Sequence, residues 1–196
     1  KIYDATRWAF LFGRKAIIKA PPFSSEQPIR IVEIGCGTGY NLSRLAKHFP
    51  HAQLIGLDVS PHMVQLAQRR TRAFADRLQI IQGPYQPHHT WFAPEVDLML
   101  FSYSLTMINP QWSSLLIQAQ HDLRTGGIIA VTDFHDSPKQ WFKQHMSNHH
   151  VRMDGHLLPF LEATFTPLQQ EVANAYGGIW QYFLFTGSKA MQPKKH

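Results

Sequence analysis

Cysteine is almost missing from this chain: Cys36 is the only one in 196 residues. A single thiol cannot build an internal disulfide framework, and it suits a reducing compartment. Long apolar runs are missing as well. No stretch reaches the roughly eighteen apolar residues of a membrane-spanning helix, and no signal-peptide pattern is visible. These absences predict a cytoplasmic protein that reaches a membrane, if at all, from the side. Acidic residues are few, 13 Asp and Glu against 19 Lys and Arg, which leaves a net charge of +6 with the twelve histidines neutral. Such a balance favours anionic partners, either nucleic acid or an acidic lipid surface, though it also serves plain solubility. The chain carries no appendage in which basic and aromatic residues interleave, so no nucleic-acid partner is expected. Paired histidines occur at 88 and 89 and, one helical turn apart, at 145 and 149. Neither pair has a third ligand at a defined spacing, so no metal is expected.

What is present is a 22.5 kDa chain with 44% hydrophobic residues, enough for one enzyme core. Residues 1–20 read as one helix or two short ones, followed by the breaker "PPFSSEQP". Apolar strand runs then alternate with helical patterns: strands at 29–34, 52–58, 78–82, 96–102 and 127–134, and helices at 39–49, 61–74 and 110–124. Continuous apolar strands separated by helices predict a parallel sheet covered on both faces. Residues 135–163 form a helical, His- and aromatic-rich segment. Two β-like runs at 164–173 and 179–187 flank "AYGG", the turn of a closing hairpin. The expected fold is α/β: a doubly wound, mostly parallel seven-stranded sheet ending in an antiparallel hairpin. The expected organisation is a lid and linker (1–28), a ligand-binding core (29–134), a substrate-side segment (135–163) and the hairpin (164–189).

The stretch "VEIGCGTGYN", residues 32–41, carries the chemistry. A dinucleotide fingerprint requires G-x-G-x-x-G. Here Gly35, Gly37 and Gly39 are followed by Tyr40 at the sixth position, and no Gly-Lys-Ser/Thr phosphate grip follows. Glu33, at the end of the first strand, would repel a pyrophosphate but suits an ammonium group. Asp58 follows Gly39 by about 20 residues, where an acid accepts the hydroxyls of a ribose. A ligand with a ribose and an amino-acid head but no phosphate is implied, which describes S-adenosylmethionine.

These residues resemble the class I S-adenosylmethionine-dependent methyltransferases. "VEIGCGTGYN" is similar to their first motif, "LIGLDVSPHMV" to their second and "LRTGGIIAV" to their Gly-Gly turn into the fifth strand. The resemblance implies a Rossmann-like methyltransferase fold. It implies cofactor contacts at Tyr3, Arg14, Glu33, Gly35, Cys36, Gly37, Gly39, Asn41, Asp58, Val59, Met63, Gly83, Tyr85, Phe101 and Ser102. Many members carry an acid after the third strand to meet the adenine amino group. Here "QGPYQ" offers only Gly83, Pro84 and Tyr85. The fourth strand ends in "FSYSLTM", without the Asn/Asp-Pro-Pro-aromatic signature of enzymes that methylate base amines.

Three further stretches, "IYDATRWAFLFGR", "DFHD" and "NHHVRMDGHLLPFLEATFTP" with "AYGGIWQYFLFTGSK", resemble the bacterial N-methyltransferases of betaine-lipid synthesis. That resemblance implies methylation of the amine of a diacylglyceryl homoserine headgroup. Quinone, phosphatidylethanolamine or another small molecule are the alternatives, and RNA is a more distant one. Methyl transfer from a sulfonium needs an unprotonated amine held in line, and a weak base would help to remove protons between transfers. His135, Asp136, His150 and His156 are the candidate bases. Tyr103, Trp141, Tyr176 and Trp180 are candidates to face the growing cation, with Tyr103 placed by the end of the fourth strand. Trp8, Phe10 and Phe12, with Arg7, Arg14, Lys15 and Lys19, would suit a segment resting on an anionic membrane.

Overall fold

A computed structural model describes residues 11–86, 92 and 95–190. Seven strands form one sheet: β1 (Arg30–Ile34), β2 (Gln53–Asp58), β3 (Leu78–Gln82), β4 (Val96–Ser102), β5 (Leu123–Phe134), β6 (Thr166–Ala175) and β7 (Trp180–Ser188). The order is β3-β2-β1-β4-β5-β7-β6. The first five strands run parallel, and β7 is antiparallel to both β5 and β6. The α/β fold and the terminal hairpin are those the strand pattern predicts.

Alternating side chains along each strand divide the core into two layers. Val32, Ile34, Met99, Phe101, Ile129, Val131 and Phe183 pack on one face. They meet Leu115, Leu116 and Ala119 of α4 (Trp112–Asp122) and Leu157, Leu158 and Leu161 of α6 (Leu157–Thr164). Ile31, Leu98, Leu100, Ile128 and Leu184 pack on the other. There they meet Ile17 and Ile18 of α1 (Arg14–Lys19), Leu42, Leu45 and Ala46 of α2 (Tyr40–His48) and Ala67 of α3 (Pro61–Thr71). Helices on both faces explain why the central strands are apolar throughout rather than alternating. A third cluster, Tyr103, Phe134, Phe142, Val151, Met153 and Trp180, closes the carboxyl end of the sheet. Phe142 reaches it from α5 (Gln140–Asn148).

Several elements differ from the sequence expectation. Helix α1 is a short one of six residues, and its start at Arg14 is set by a left-handed turn at Gly13, φ 77°, that the apolar pattern did not mark. Helix α3 ends at Thr71 and tightens into a 3-10 turn over Arg72–Phe74. Strand β5 reaches back to Leu123, with Gly126 at φ 72° and a register shift opposite Val96 and Leu98. Residues 1–10, including Tyr3, Arg7, Trp8 and Phe10, lie outside the described residues, as do His88 and His89. No helix among the described residues is long and apolar enough to cross a membrane.

Strand order reverses between β1 and β4, and connections leave these two strands toward opposite faces. A crevice opens at such a switch point, beyond the carboxyl ends of the strands. The glycine turn after β1 and the turn after β4 therefore face each other across it.

Candidate active site

The glycine turn is fixed by its backbone. Gly35, Gly37 and Gly39 have φ of 71°, 54° and 72°, values that a side chain with a Cβ rarely adopts. The Cys36 N–H donates to Leu57 O at 2.9 Å and the Gly39 N–H to Cys36 O at 3.0 Å. Asp58 at the end of β2 completes the turn: one carboxylate oxygen accepts the Gly37 N–H at 2.8 Å and the other the Ser60 N–H at 2.9 Å. Each oxygen keeps a further lone pair for a ligand.

Glu33 is 1% exposed. Its Oε1 accepts from Asn41 Nδ2 at 2.7 Å, and Asn41 Oδ1 accepts from Arg14 Nε at 3.0 Å. Burial pushes the Glu33 carboxyl up to about 7, against the opposing pull of the Asn41 hydrogen bond and the Arg14 charge. Its Oε2 is buried with no partner among the described residues. An orphaned carboxylate oxygen of this kind, at the wall of a cavity, is a ready acceptor for a ligand cation. The Arg14 guanidinium also lies 4.1 Å above the Tyr40 ring and that of Arg44 4.7 Å from it, so an aromatic ring is flanked by two cations at the edge of the turn.

The cavity measures about 1090 Å³, the upper end of the range for ligand sites. Of the residues the sequence nominates for a cofactor, Arg14, Glu33, Gly35, Cys36, Gly37, Asn41, Asp58, Val59, Met63, Gly83, Tyr85 and Ser102 line it. Gly39 and Phe101 do not. Gly39 serves packing, since a Cβ there would stand 3.0 Å from the Ala67 Cα of α3. Phe101 is fully buried in the core. Tyr85 lines the cavity, and its hydroxyl is engaged elsewhere, donating to Asp122 Oδ2 at 2.7 Å. Cys36 is buried, and its thiol is pushed far above the ordinary range by burial and by Glu33 and Asp58, so it stays protonated and inert.

Residues 31–127 match the family described as a methyltransferase domain. The core is a methyltransferase domain. The trans-aconitate 2-methyltransferase of Methylobacterium nodulans is 35% identical over 104 residues, covering 53% of this chain and 38% of that protein. An uncharacterized methyltransferase of Emericella nidulans is 31% identical over 134 residues, 68% of this chain and 41% of the other. The chain thus spans about two fifths of the length of the curated relatives it matches. The geranyl diphosphate C-methyltransferase of Streptomyces coelicolor, solved with Mg²⁺, geranyl-S-thiolodiphosphate and S-adenosyl-L-homocysteine, superposes with a TM-score of 0.76. It covers 90% of this chain and 75% of that one at 12% identity, which is a likeness of fold.

The end of the cavity opposite the glycine turn is built by the turn after β4. Tyr103 sits at φ 55°, a strained value for a residue with a side chain. Its hydroxyl donates to the Phe12 carbonyl at 2.9 Å. The Phe12 ring in turn lies 5.4 Å from Tyr176 and 5.7 Å from Trp180. Tyr103, Tyr176 and Phe12 line the cavity together with Met107, Ile108 and Leu115. Two hydroxyls at this end, Ser102 Oγ and Ser104 Oγ, are buried without partners among the described residues. Ser104 was not nominated from sequence, although it stands in the "FSYSLTM" stretch at the end of the fourth strand.

The three histidines nominated as bases do not line this cavity. His135 is stitched to the hairpin, its N–H donating to Gln181 O at 2.8 Å and its carbonyl accepting from Gly155 at 2.9 Å. His150 is exposed, with φ 63°. His156 pairs through Nδ1 with Asp154 and sets its ring 4.7 Å from Trp112. Burial holds the His156 imidazole below its ordinary range, although Asp154 pulls the other way. Asp136 forms an ion pair with Lys143 at 2.5 Å. Trp180 is a fully buried core residue and Trp141 is 63% exposed on α5. Of the four aromatics expected near a cation, only Tyr103 and Tyr176 reach the cavity. The segment after β5 packs beside the hairpin, with Phe142 of α5 against Trp180 and Leu161 of α6 against Phe183 and Phe185, and the nominated polar residues stand outside the cavity lining.

Proposed function

We propose that this chain is an S-adenosylmethionine-dependent N-methyltransferase acting on the amine of an amphipathic molecule, such as the headgroup of a diacylglyceryl homoserine lipid. The observation that carries the reading is the character of the acceptor end: aromatic and aliphatic side chains with two uncharged hydroxyls. The cavity's carboxylates, Glu33 and Asp58, stand at the glycine turn instead.

The residues of that turn fit the cofactor. Glu33 Oε2 would hold an ammonium, Asp58 the ribose hydroxyls, and the left-handed glycines let the backbone approach closely. The cofactor supplies an electrophilic methyl on sulfur when bound. The chain's own part is to hold an amine in line and keep it neutral. An apolar cavity lowers the pKa of an amine, because desolvation penalises the charged form. The Tyr103 and Tyr176 rings then favour the cationic product by roughly 0.5–2 kcal/mol each. An acyl-bearing substrate stays in its bilayer, so the domain would have to visit that surface, and the exposed Lys15 and Lys19 of α1 suit an anionic one.

A second reading, methylation of a small carboxylate, is favoured by the likeness to trans-aconitate 2-methyltransferase and by Arg14 and Lys15 at the cavity wall. One experiment separates the two. Purified protein is incubated with isotopically labelled S-adenosylmethionine, diacylglyceryl homoserine vesicles, phosphatidylethanolamine vesicles and trans-aconitate, and the products are analysed by mass spectrometry. Label on a lipid amine is expected. Label on trans-aconitate alone would replace the amine reading with carboxylate methylation.

A further inference from the structure

Asp133, at the end of β5, is fully buried and does not line the cavity. Its carboxylate gathers four donors. Oδ2 accepts the Leu105 N–H at 2.9 Å and the Thr106 N–H at 3.2 Å, while Oδ1 accepts the Thr106 hydroxyl at 2.6 Å and the Phe134 N–H at 2.9 Å. Burial pushes the carboxyl up to about 6 in spite of those bonds, so the group is held at a cost that packing alone would not require. Three of the four donors belong to one short segment, the 3-10 turn Leu105–Met107.

That turn forms the acceptor wall of the cavity. It follows directly on the strained Tyr103 and on Ser104, whose side chain is 7% exposed with an unpartnered hydroxyl. Ser104 O accepts the Met107 N–H at 3.2 Å, and Met107 and Ile108 line the cavity on the far side of the same turn. The Ser104 Cβ also lies 2.7 Å from where a Cβ on Gly35 would stand. Ser104 is thus pressed against the glycine turn, at the junction of the two halves of the site. A small displacement of the Leu105–Met107 turn would move Ser104, Met107 and Ile108 together. Three of the four groups that meet the carboxylate are backbone N–H donors, which can only donate, so an amide would turn an N–H toward the Phe134 N–H or toward those of the turn.

We propose that Asp133 is a positioning residue for the methyl acceptor, clamping the turn after β4 so that the Ser104 hydroxyl meets the acceptor at the mouth of the glycine turn. The proposal rests on the methyl-transfer reading of the cavity. It separates acceptor recognition from cofactor binding, because the clamp touches no group of the glycine turn directly.

Native protein, Asp133→Asn, Thr106→Val and Ser104→Ala are compared by steady-state kinetics with the acceptor that the labelling experiment identifies, and by calorimetric titration of S-adenosylhomocysteine. Asp133→Asn is expected to lower kcat/KM for the acceptor by roughly 10–100-fold, chiefly through KM, the penalty of a misplaced substrate. The dissociation constant for S-adenosylhomocysteine should stay within about twofold of native. Thr106→Val, which removes one clamp donor and keeps the side-chain shape, should act in the same direction by about 3–10-fold. It serves in place of Asp133→Asn if that variant does not fold. Ser104→Ala should cost several-fold in the native background and nothing further in the Asp133→Asn background. Clamp variants that fold and leave the acceptor KM unchanged, or that weaken cofactor binding as much as acceptor use, overturn the proposal. Native protein that binds S-adenosylhomocysteine and methylates no acceptor overturns the methyl-transfer reading itself, and the positioning role with it.

Discussion

The two ends of the cavity are made in different ways. At the glycine turn, the functional groups lie close together in sequence, on β1, the loop after it, the start of α2 and the end of β2. Their geometry follows from backbone conformation: three left-handed glycines and a carboxylate that accepts two N–H groups. At the opposite end, the contacts that place the turn after β4 join it to remote segments. Tyr103 reaches Phe12 across 91 residues and Asp133 reaches Leu105 across 28. The first end is a local device repeated wherever its spacing is kept, and the second is a product of tertiary packing. A fold of this kind can retain its cofactor while exchanging acceptors, because changes to the turn after β4 need not touch the glycine turn.

The sharpest way to break that separation is where Gly35 and Ser104 meet. Gly35→Ala places a Cβ 2.7 Å from the Ser104 Cβ, at φ 71°. The left-handed conformation costs about 1–2 kcal/mol and the overlap about 1–3 kcal/mol more. We expect a stability loss of roughly 2–5 kcal/mol in urea denaturation, with both cofactor and acceptor affinity impaired. A variant as stable as native would show that Ser104 is free to withdraw and that the two ends are not in firm contact.

Glu33 offers the next test. Its carboxyl titrates near 7 in the folded protein, above the ordinary carboxylate value of 4.5, with desolvation as the main cause. The folded state therefore holds its proton more tightly than the unfolded chain. Glu33 favours folding fully below about pH 4.5, and that contribution is lost as pH rises through about 7. Affinity for a ligand ammonium runs the other way, because only the ionised carboxylate attracts it. S-adenosylhomocysteine binding should strengthen between pH 5.5 and 8, before the ligand's own ammonium titrates. Glu33→Gln should flatten that profile, weaken binding at pH 8 by about 1.5–3 kcal/mol and raise stability there, a trade-off common at functional sites. Calorimetry across the pH range checks the first outcome and thermal melts the second. Unchanged affinity in Glu33→Gln would remove the carboxylate from cofactor binding.

How far the sequence could be read follows the same division. The seven strands, their mostly parallel arrangement and the closing hairpin were legible because apolar runs and turn residues are local signals. The gathering of Glu33, Gly35, Gly37 and Asp58 at one cavity was legible too, because it depends on spacing within one βαβ unit. The start of α1 was not legible, since it depends on the left-handed turn at Gly13, where a Cβ would meet Thr132 Oγ1 at 2.9 Å. The histidines at 135, 150 and 156 have the right chemistry for bases, yet nothing in their own neighbourhood tells which way the helical segment packs. Asp133 has a strong local disguise. An acid at the end of an apolar strand reads as a surface residue, and only the turn it holds, far back in sequence, shows otherwise.

Tyr85 gives the smallest effect and the finest test of the boundary. From sequence it was the nearest polar group to an adenine after β3, and a hydroxyl there would be expected to bind the base. In the structure that hydroxyl donates to Asp122 Oδ2 at 2.7 Å, while Gln118 Nε2 donates to Asp122 Oδ1, also at 2.7 Å. Asp122 is fully buried at the end of α4, and burial together with Asp122 holds the Tyr85 phenol protonated far above its ordinary range. The bond therefore ties the loop after β3 to α4. Tyr85→Phe keeps the ring and removes the donor, leaving a buried carboxylate oxygen without its hydrogen bond. We expect a stability loss of about 1–3 kcal/mol, the cost of an unsatisfied buried group. The affinity for S-adenosylhomocysteine should stay within about twofold, because no ligand contact through the hydroxyl is lost. Paired denaturation and titration curves decide between the two roles. A tenfold loss of affinity at unchanged stability would return the hydroxyl to the adenine and make the Asp122 contact an incidental one.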